Sequence, residues 1–179
     1  MILCAGNEET FSFATPVGVG LVEVAIGVTK ICLLNPPSFL LFVGSAGSYG
    51  EHSLFDIVHS QSASQIENSF FLSDTYTPID NMISTSADVS RETFVNSSNY
   101  ITTDSSLGKK YLAHNIGLEN MEFFSILSVA KTFGIPVGGI FIVTNYCNAT
   151  AHEDFLANHK TAMAKLEEYI ATHARKWFR

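Results

Sequence analysis

Residues 138–148 read GGIFIVTNYCN, and this stretch decides how the rest of the chain is arranged. Ile140, Phe141, Ile142 and Val143 are β-branched or aromatic with no polar break, the pattern of a strand covered on both faces. Thr144, Asn145 and Asn148 follow; the asparagine amides donate and accept hydrogen bonds but do not titrate. Open α/β sheets place their ligands beyond the carboxyl ends of such strands. Asn145 therefore stands where a ligand is expected.

Working outward, Leu118–Phe133 carries helical apolar spacing, and Gly134 and Pro136 punctuate its link into the strand. Downstream, Thr150-Ala-His-Glu153 reads as a capping box. Phe155, Met163, Leu166, Ile170, Ala174 and Trp177 then recur along a long amphipathic helix. Ser38–Val43 (SFLLFV) is a second fully apolar strand, followed by a glycine loop, Gly44–Gly50 (GSAGSYG). Met1–Ala5 and Ala14–Val19 read as short strands. Gly18 and Gly20 lead into a helix over Leu21–Leu34, which Asn35-Pro36-Pro37 ends. Phe55–Ser60 alternates as a strand, Val95–Thr102 (VNSSNYIT) is a strand with a polar middle, and Glu67–Ile79 carries no clear period. This order predicts one α/β domain over residues 1–179, three-layer α/β/α with a mainly parallel or mixed central sheet.

Composition narrows the function. Of 179 residues, 46% are apolar and 15% charged, which excludes disorder. A formal charge of −7 argues against a nucleic-acid surface, which needs a basic stripe. Only ten Lys and Arg are present, and Lys160, Lys165, Arg175, Lys176 and Arg179 crowd the C-terminus. An anion bound elsewhere must rely on backbone N–H groups, hydroxyls or helix N-termini. Cys4, Cys32 and Cys147 are odd in number and lack metal spacing, and the six histidines are scattered. No metal or cofactor is expected, and the thiols fit a reducing compartment. With no signal-peptide pattern and no apolar run near the ~18 residues of a membrane span, the expected location is cytoplasmic.

Three polar segments could carry chemistry. The small residues of GSAG let backbone amides approach a ligand, though they also suit a tight turn. Glu119 and Glu122 open an apolar helix, where carboxylates are favoured by the helix dipole. Burial beside Phe123, Phe124, Ile126 and Leu127 would demand a partner for them, and a sugar hydroxyl is one. Asn145 either caps the next turn or meets a ligand. Gly18-Val-Gly20 lacks the third glycine of a dinucleotide fingerprint, Glu23 standing in its place.

Taken together these segments resemble the nucleoside phosphorylase superfamily, which includes purine nucleoside phosphorylases and methylthioadenosine nucleosidases. GVGLVEVAIGVTKI is similar to the family's glycine-rich helix start, VGSAGSYG to its G-[ST]-[AC]-G loop, and NSSNYIT to its S-G-D-x-F-I strand. LENMEFFSILSVAKTFGIPVGGIFIVTN resembles the E-M-E helix and the strand ending in S-D or T-N, with Glu122 and Asn145 at the family's separation of 23 residues.

The resemblance implies that Glu122 accepts hydrogen bonds from the ribose hydroxyls and that Met121, beside Asn120, packs against the sugar. It puts Tyr100 on the purine, the Ile101 backbone at the base edge, and Ala46 and Gly47 against the substrate. It puts Ser45 and Gly6 at the phosphate or attacking water. It also implies that Asn145 reaches purine N7.

Two departures qualify this. Many members carry Asp at the place of Asn145, and the members with Asn are similar to phosphorylases preferring 6-oxopurines. Phe42 occupies the place of a phosphate-binding arginine, and Arg91 is the only arginine outside the C-terminal helix. The resulting expectation is a purine nucleoside phosphorylase acting on inosine or guanosine with phosphate as co-substrate. The alternatives are a hydrolytic nucleosidase with Glu8 or Glu9 as base, and a silent purine-binding relative. Family members are oligomers, so a homo-oligomer (dimer or hexamer) is implied.

Overall fold

Nine strands and four α-helices make up the described part of the computed structural model. It describes residues 1–72 and 74–177, apart from the side chains at 91 and 174–177. The side chains of Arg91, Ala174 and Trp177 lie outside it. In chain order the elements are β1 (Ile2–Cys4), β2 (Thr15–Pro16), α1 (Leu21–Leu34), β3 (Leu40–Ser48), β4 (Ile57–Ser60), β5 (Ser62–Ser64) and β6 (Met82–Ser84). There follow β7 (Phe94–Ser97), α2 (Ser105–Leu112), β8 (Ile116–Asn120), α3 (Phe123–Phe133), β9 (Val137–Tyr146) and α4 (Ala151–Trp177).

The spine is the parallel pair of β3 and β9, running from Leu40 opposite Val137 to Ser48 opposite Tyr146 with one register shift between Ala46 and Gly47. Successive side chains point to opposite faces. Leu40, Phe42, Phe141 and Val143 pack with Val24 and Val28 of α1 and with Phe123, Ile126 and Leu127 of α3. Leu41, Val43, Ile140 and Ile142 pack with Ala162, Leu166 and Ile170 of α4. Helices thus cover both faces of a mixed sheet, the three-layer α/β/α architecture expected from the sequence.

The sheet splits along one edge of β3, and this split positions the site. Near its start β3 pairs with β1, Ile2 opposite Leu41 and Leu3 opposite Phe42. Near its end it pairs antiparallel with β8, Gly47 opposite Glu119 and Ser48 opposite Leu118. From Val43 to Ala46 that edge has no strand neighbour among the described residues. The opening is a notch at the carboxyl half of the central strand, the kind of place where α/β sheets bind ligands.

Several boundaries differ from the sequence reading. GSAGS is not a loop but the second half of β3, because its backbone keeps pairing with β9 despite its small side chains. The helix read over Leu118–Phe133 is two elements: Ile116–Asn120 is strand β8, and α3 begins only at Phe123. The strand read over Val95–Thr102 ends at Ser97, so Asn99, Tyr100 and Ile101 lie in a loop. The capping box is replaced by an Asx turn, in which Asn148 Oδ1 accepts from the Thr150 N–H at 2.9 Å. The Thr150 hydroxyl lies 2.8 Å from Asp154 Oδ2.

Candidate active site

Glu9 fills the notch. Gly6 and Glu9 close a tight turn after β1, the Glu9 N–H donating to the Gly6 carbonyl at 2.9 Å. Gly6 has φ 105°, a conformation open chiefly to glycine. The turn sends the Glu9 carboxylate under the unpaired edge of β3. There Ser45 supplies both hydrogen bonds: its N–H donates to Oε2 at 3.2 Å and its hydroxyl to Oε1. Glycine at 44 leaves room for this approach, since a Cβ there would stand 2.9 Å from Glu9 Oε2. Burial pushes the Glu9 carboxyl upward from its ordinary value, the Ser45 donors and His159 acting against that. Glu8 lines the same cleft but is exposed.

Glu122 stands at the N-cap of α3, facing the start of α1. Its Oε1 accepts from the Gly20 N–H at 3.1 Å. Its Oε2 accepts from the Met121 N–H at 3.0 Å and from Asn120 Nδ2 at 3.3 Å. Gly20, at φ 82°, turns its N–H toward the carboxylate, which explains the GVG sequence before α1. Burial pushes Glu122 up to about 7, and the Glu9 charge adds to the rise; the Gly20 and Met121 N–H groups oppose it. Asn120 is itself fixed, its Oδ1 accepting from the Ser97 hydroxyl at 2.8 Å.

Asn145 follows a β-bulge. The register slips at Thr144, where Ala46 faces Val143 but Gly47 faces Asn145, and such a bulge re-aims the next side chain. The Thr144 hydroxyl donates to Asn145 Oδ1 at 2.9 Å, and Asn145 Nδ2 donates to the Tyr146 carbonyl at 3.2 Å. One amide N–H is left for a ligand. Gly47 leaves room for this side chain, a Cβ there falling 3.0 Å from Nδ2.

The loop after β7 borders the site on another side. Glu119 of β8 is buried and accepts from the Tyr49 hydroxyl at 2.7 Å and from the Thr102 N–H at 2.9 Å. The Thr102 hydroxyl donates to it as well. These bonds tie down the end of the segment carrying Tyr100, which is 81% exposed, and Ile101.

Glu9, Ser45, Glu119, Glu122 and Asn145 line one cleft of about 400 Å³, a size that suits a small-molecule ligand. Every residue to which the resemblance gives a catalytic, substrate or phosphate role borders it: Gly6, Ser45, Ala46 and Gly47; Tyr100 and Ile101; Asn120, Met121, Glu122 and Asn145. Phe42 does not. It is buried against Phe123 and Phe141, with ring centroids 6.3 and 5.8 Å away. The sequence reading did not place Thr144, His152 or Phe155 in the cleft. The last two stand within the first five residues of α4, and the short link after Asn145 was the signal that the start of this helix returns to the site. Among the described residues no cluster of His, Cys, Asp and Glu is built to hold a metal ion, and no helix is long and apolar enough to cross a membrane.

The chain matches the phosphorylase superfamily over residues 5–175 and belongs to it. No curated protein sequence matches the chain. Among solved structures it is similar to a mutant of the Helicobacter pylori 5′-methylthioadenosine/S-adenosylhomocysteine nucleosidase with 5′-methylthioadenosine in its active site. There the TM-score is 0.80 at 15% identity, over 98% of this chain and 97% of that one. Helicobacter pylori futalosine hydrolase gives a TM-score of 0.81 at 16% identity, over 98% and 96%. The S. pneumoniae 5′-methylthioadenosine/S-adenosylhomocysteine nucleosidase gives 0.69 at 14%, over 93% and 97%. At these identities the likeness is one of fold.

Proposed function

We propose that the protein is a purine nucleosidase, cleaving the N-glycosidic bond with water. Glu9 carries this reading: a mostly buried carboxylate gripped by both Ser45 donors, in the place where the resemblance puts phosphate or attacking water. Phosphate there would meet the carboxyl groups of Glu9 and Glu122, and no Lys or Arg is among the residues lining the cleft. A neutral water suits that field and a phosphate anion does not. The phosphorylase expected from the sequence therefore finds less support than its hydrolytic alternative. The names of the similar structures, nucleosidases and a hydrolase, run the same way.

In this reading Glu122 accepts hydrogen bonds from the ribose hydroxyls and Met121 packs against the sugar. Glu9 takes a proton from water as the water oxygen bonds to C1′ and the bond from C1′ to the base breaks. The electron pair leaves on the purine, where the free Asn145 N–H donates to N7 and stabilises the developing charge. Asn145 cannot give up a proton, which favours a 6-oxopurine as the leaving group. Tyr100 covers the base from its exposed loop. The homo-oligomer implied by the resemblance belongs to this proposal; Val22, Ile26 and Leu33, exposed on one side of α1, offer an apolar face for it.

The test is base release from inosine, guanosine and 5′-methylthioadenosine, without phosphate and with excess phosphate. Equal release in both buffers is expected. Release that requires phosphate, or release of none of the three bases, overturns the reading.

A further inference from the structure

His159 lies one layer behind the cleft, on the face of α4 that covers the sheet. Its Nε2 is buried and, among the described residues, is the one buried side-chain nitrogen or oxygen without a hydrogen-bond partner. Folded proteins rarely leave such an atom unused. That nitrogen stands 4.0 Å from Glu9 Oε1, about 1 Å beyond hydrogen-bond length. The Phe155 ring, which borders the cleft, lies against the imidazole with centroids 4.9 Å apart.

We propose that His159 is a positioning residue for Glu9, its Nε2–H closing onto Oε1 from behind and holding the carboxylate ionised and aimed at the cleft. The Ser45 hydroxyl and N–H grip Glu9 from the β3 side, so His159 completes a three-donor cradle. The other titratable groups around Glu9 are unable to do this. Burial keeps Cys4 of β1 a neutral thiol, a weak donor at best, Glu122 at the start of α3 raises the local negative potential, and Glu8 is acidic and exposed. Burial drives Glu9 toward its neutral form, which cannot act as a base, and a histidine at this distance opposes that. The inference rests on the nucleosidase reading for its mechanistic meaning, but the Glu9–His159 pairing can be tested without turnover.

The experiment follows Glu9 by ¹³C NMR of carboxyl-labelled glutamate, the signal being assigned through its loss in Glu9→Gln. In His159→Phe the Glu9 midpoint should rise by about one pH unit, and His159→Gln, which keeps an N–H, should recover part of that. His159→Leu serves if the Phe variant does not fold. The acid limb of kcat/KM should move upward by the same interval, a shift that loss of packing alone would not produce. An unmoved Glu9 midpoint overturns the inference whether or not the protein is active. A moved midpoint in a protein that releases no base upholds the pairing and overturns the nucleosidase reading instead.

Discussion

In the proposed reaction Glu9, Glu122 and Asn145 divide the chemistry, and each makes a separable prediction. Replacing Glu9 by Gln keeps an acceptor for Ser45 but removes the base, and kcat should fall by about 10²–10⁴-fold. Asn145→Ala removes a donor aimed at the leaving group, and kcat/KM should fall by about 10²–10³-fold while the melting temperature changes little. Glu122 adds a stability effect. Its folded-state pKa, about 7, lies above the ordinary 4.5, so the folded state holds the extra proton. The stabilisation from that proton is complete below about 4.5 and is lost as pH rises through about 7. Glu122→Gln, which stays neutral, should therefore be more stable than the wild type at pH 8 by roughly 1–3 kcal/mol and nearly equal to it at pH 4.5. Denaturant melts at the two pH values check this; a variant less stable at pH 8 would contradict the burial argument. At this scale the sequence was legible for residues with a family spacing, Glu122 and Asn145, and left Glu8 and Glu9 undistinguished. Only the turn at Gly6 decides which of the two enters the notch.

The elements are held in place by glycines as much as by apolar side chains. Gly27 lies within α1, where glycine is a poor helix former, yet a Cβ there would run into the Val17 carbonyl oxygen after β2. Gly27→Ala should therefore destabilise by about 1–3 kcal/mol despite its better helix propensity, and a thermal melt at or above the wild-type value would contradict the close packing. The same logic explains what the sequence concealed. GSAGS has no strand propensity, and its pairing with β9 overrides that. IGLENMEFF mixes a five-residue strand with a helix start, and a short apolar run cannot be assigned by period alone. Strand β9 and helices α1 and α4 were readable because each is long enough for its period to repeat. Glu119 illustrates the consequence: read as a first-turn helical carboxylate, it is a strand residue that anchors the Tyr100 loop through Thr102. Thr102→Val, which deletes one of its donors, should raise KM several-fold with a smaller change in kcat.

For the whole molecule, the fold follows from two strands buried on both faces, β3 and β9, which force helices onto either side of the sheet. Their arrangement was legible from SFLLFV and GGIFIVTN. The split between β1 and β8 was not, because it depends on pairing between distant segments. That split lets Glu9 reach Ser45 at the open edge of β3, the contact on which the proposed hydrolytic reading rests. The most direct test identifies the sugar product when purified protein consumes a cleaved purine nucleoside in the presence of phosphate, followed by ³¹P NMR. The account predicts free sugar, with inorganic phosphate as the only phosphorus signal throughout. A sugar 1-phosphate resonance growing as base is released would contradict it and make the protein a phosphorylase.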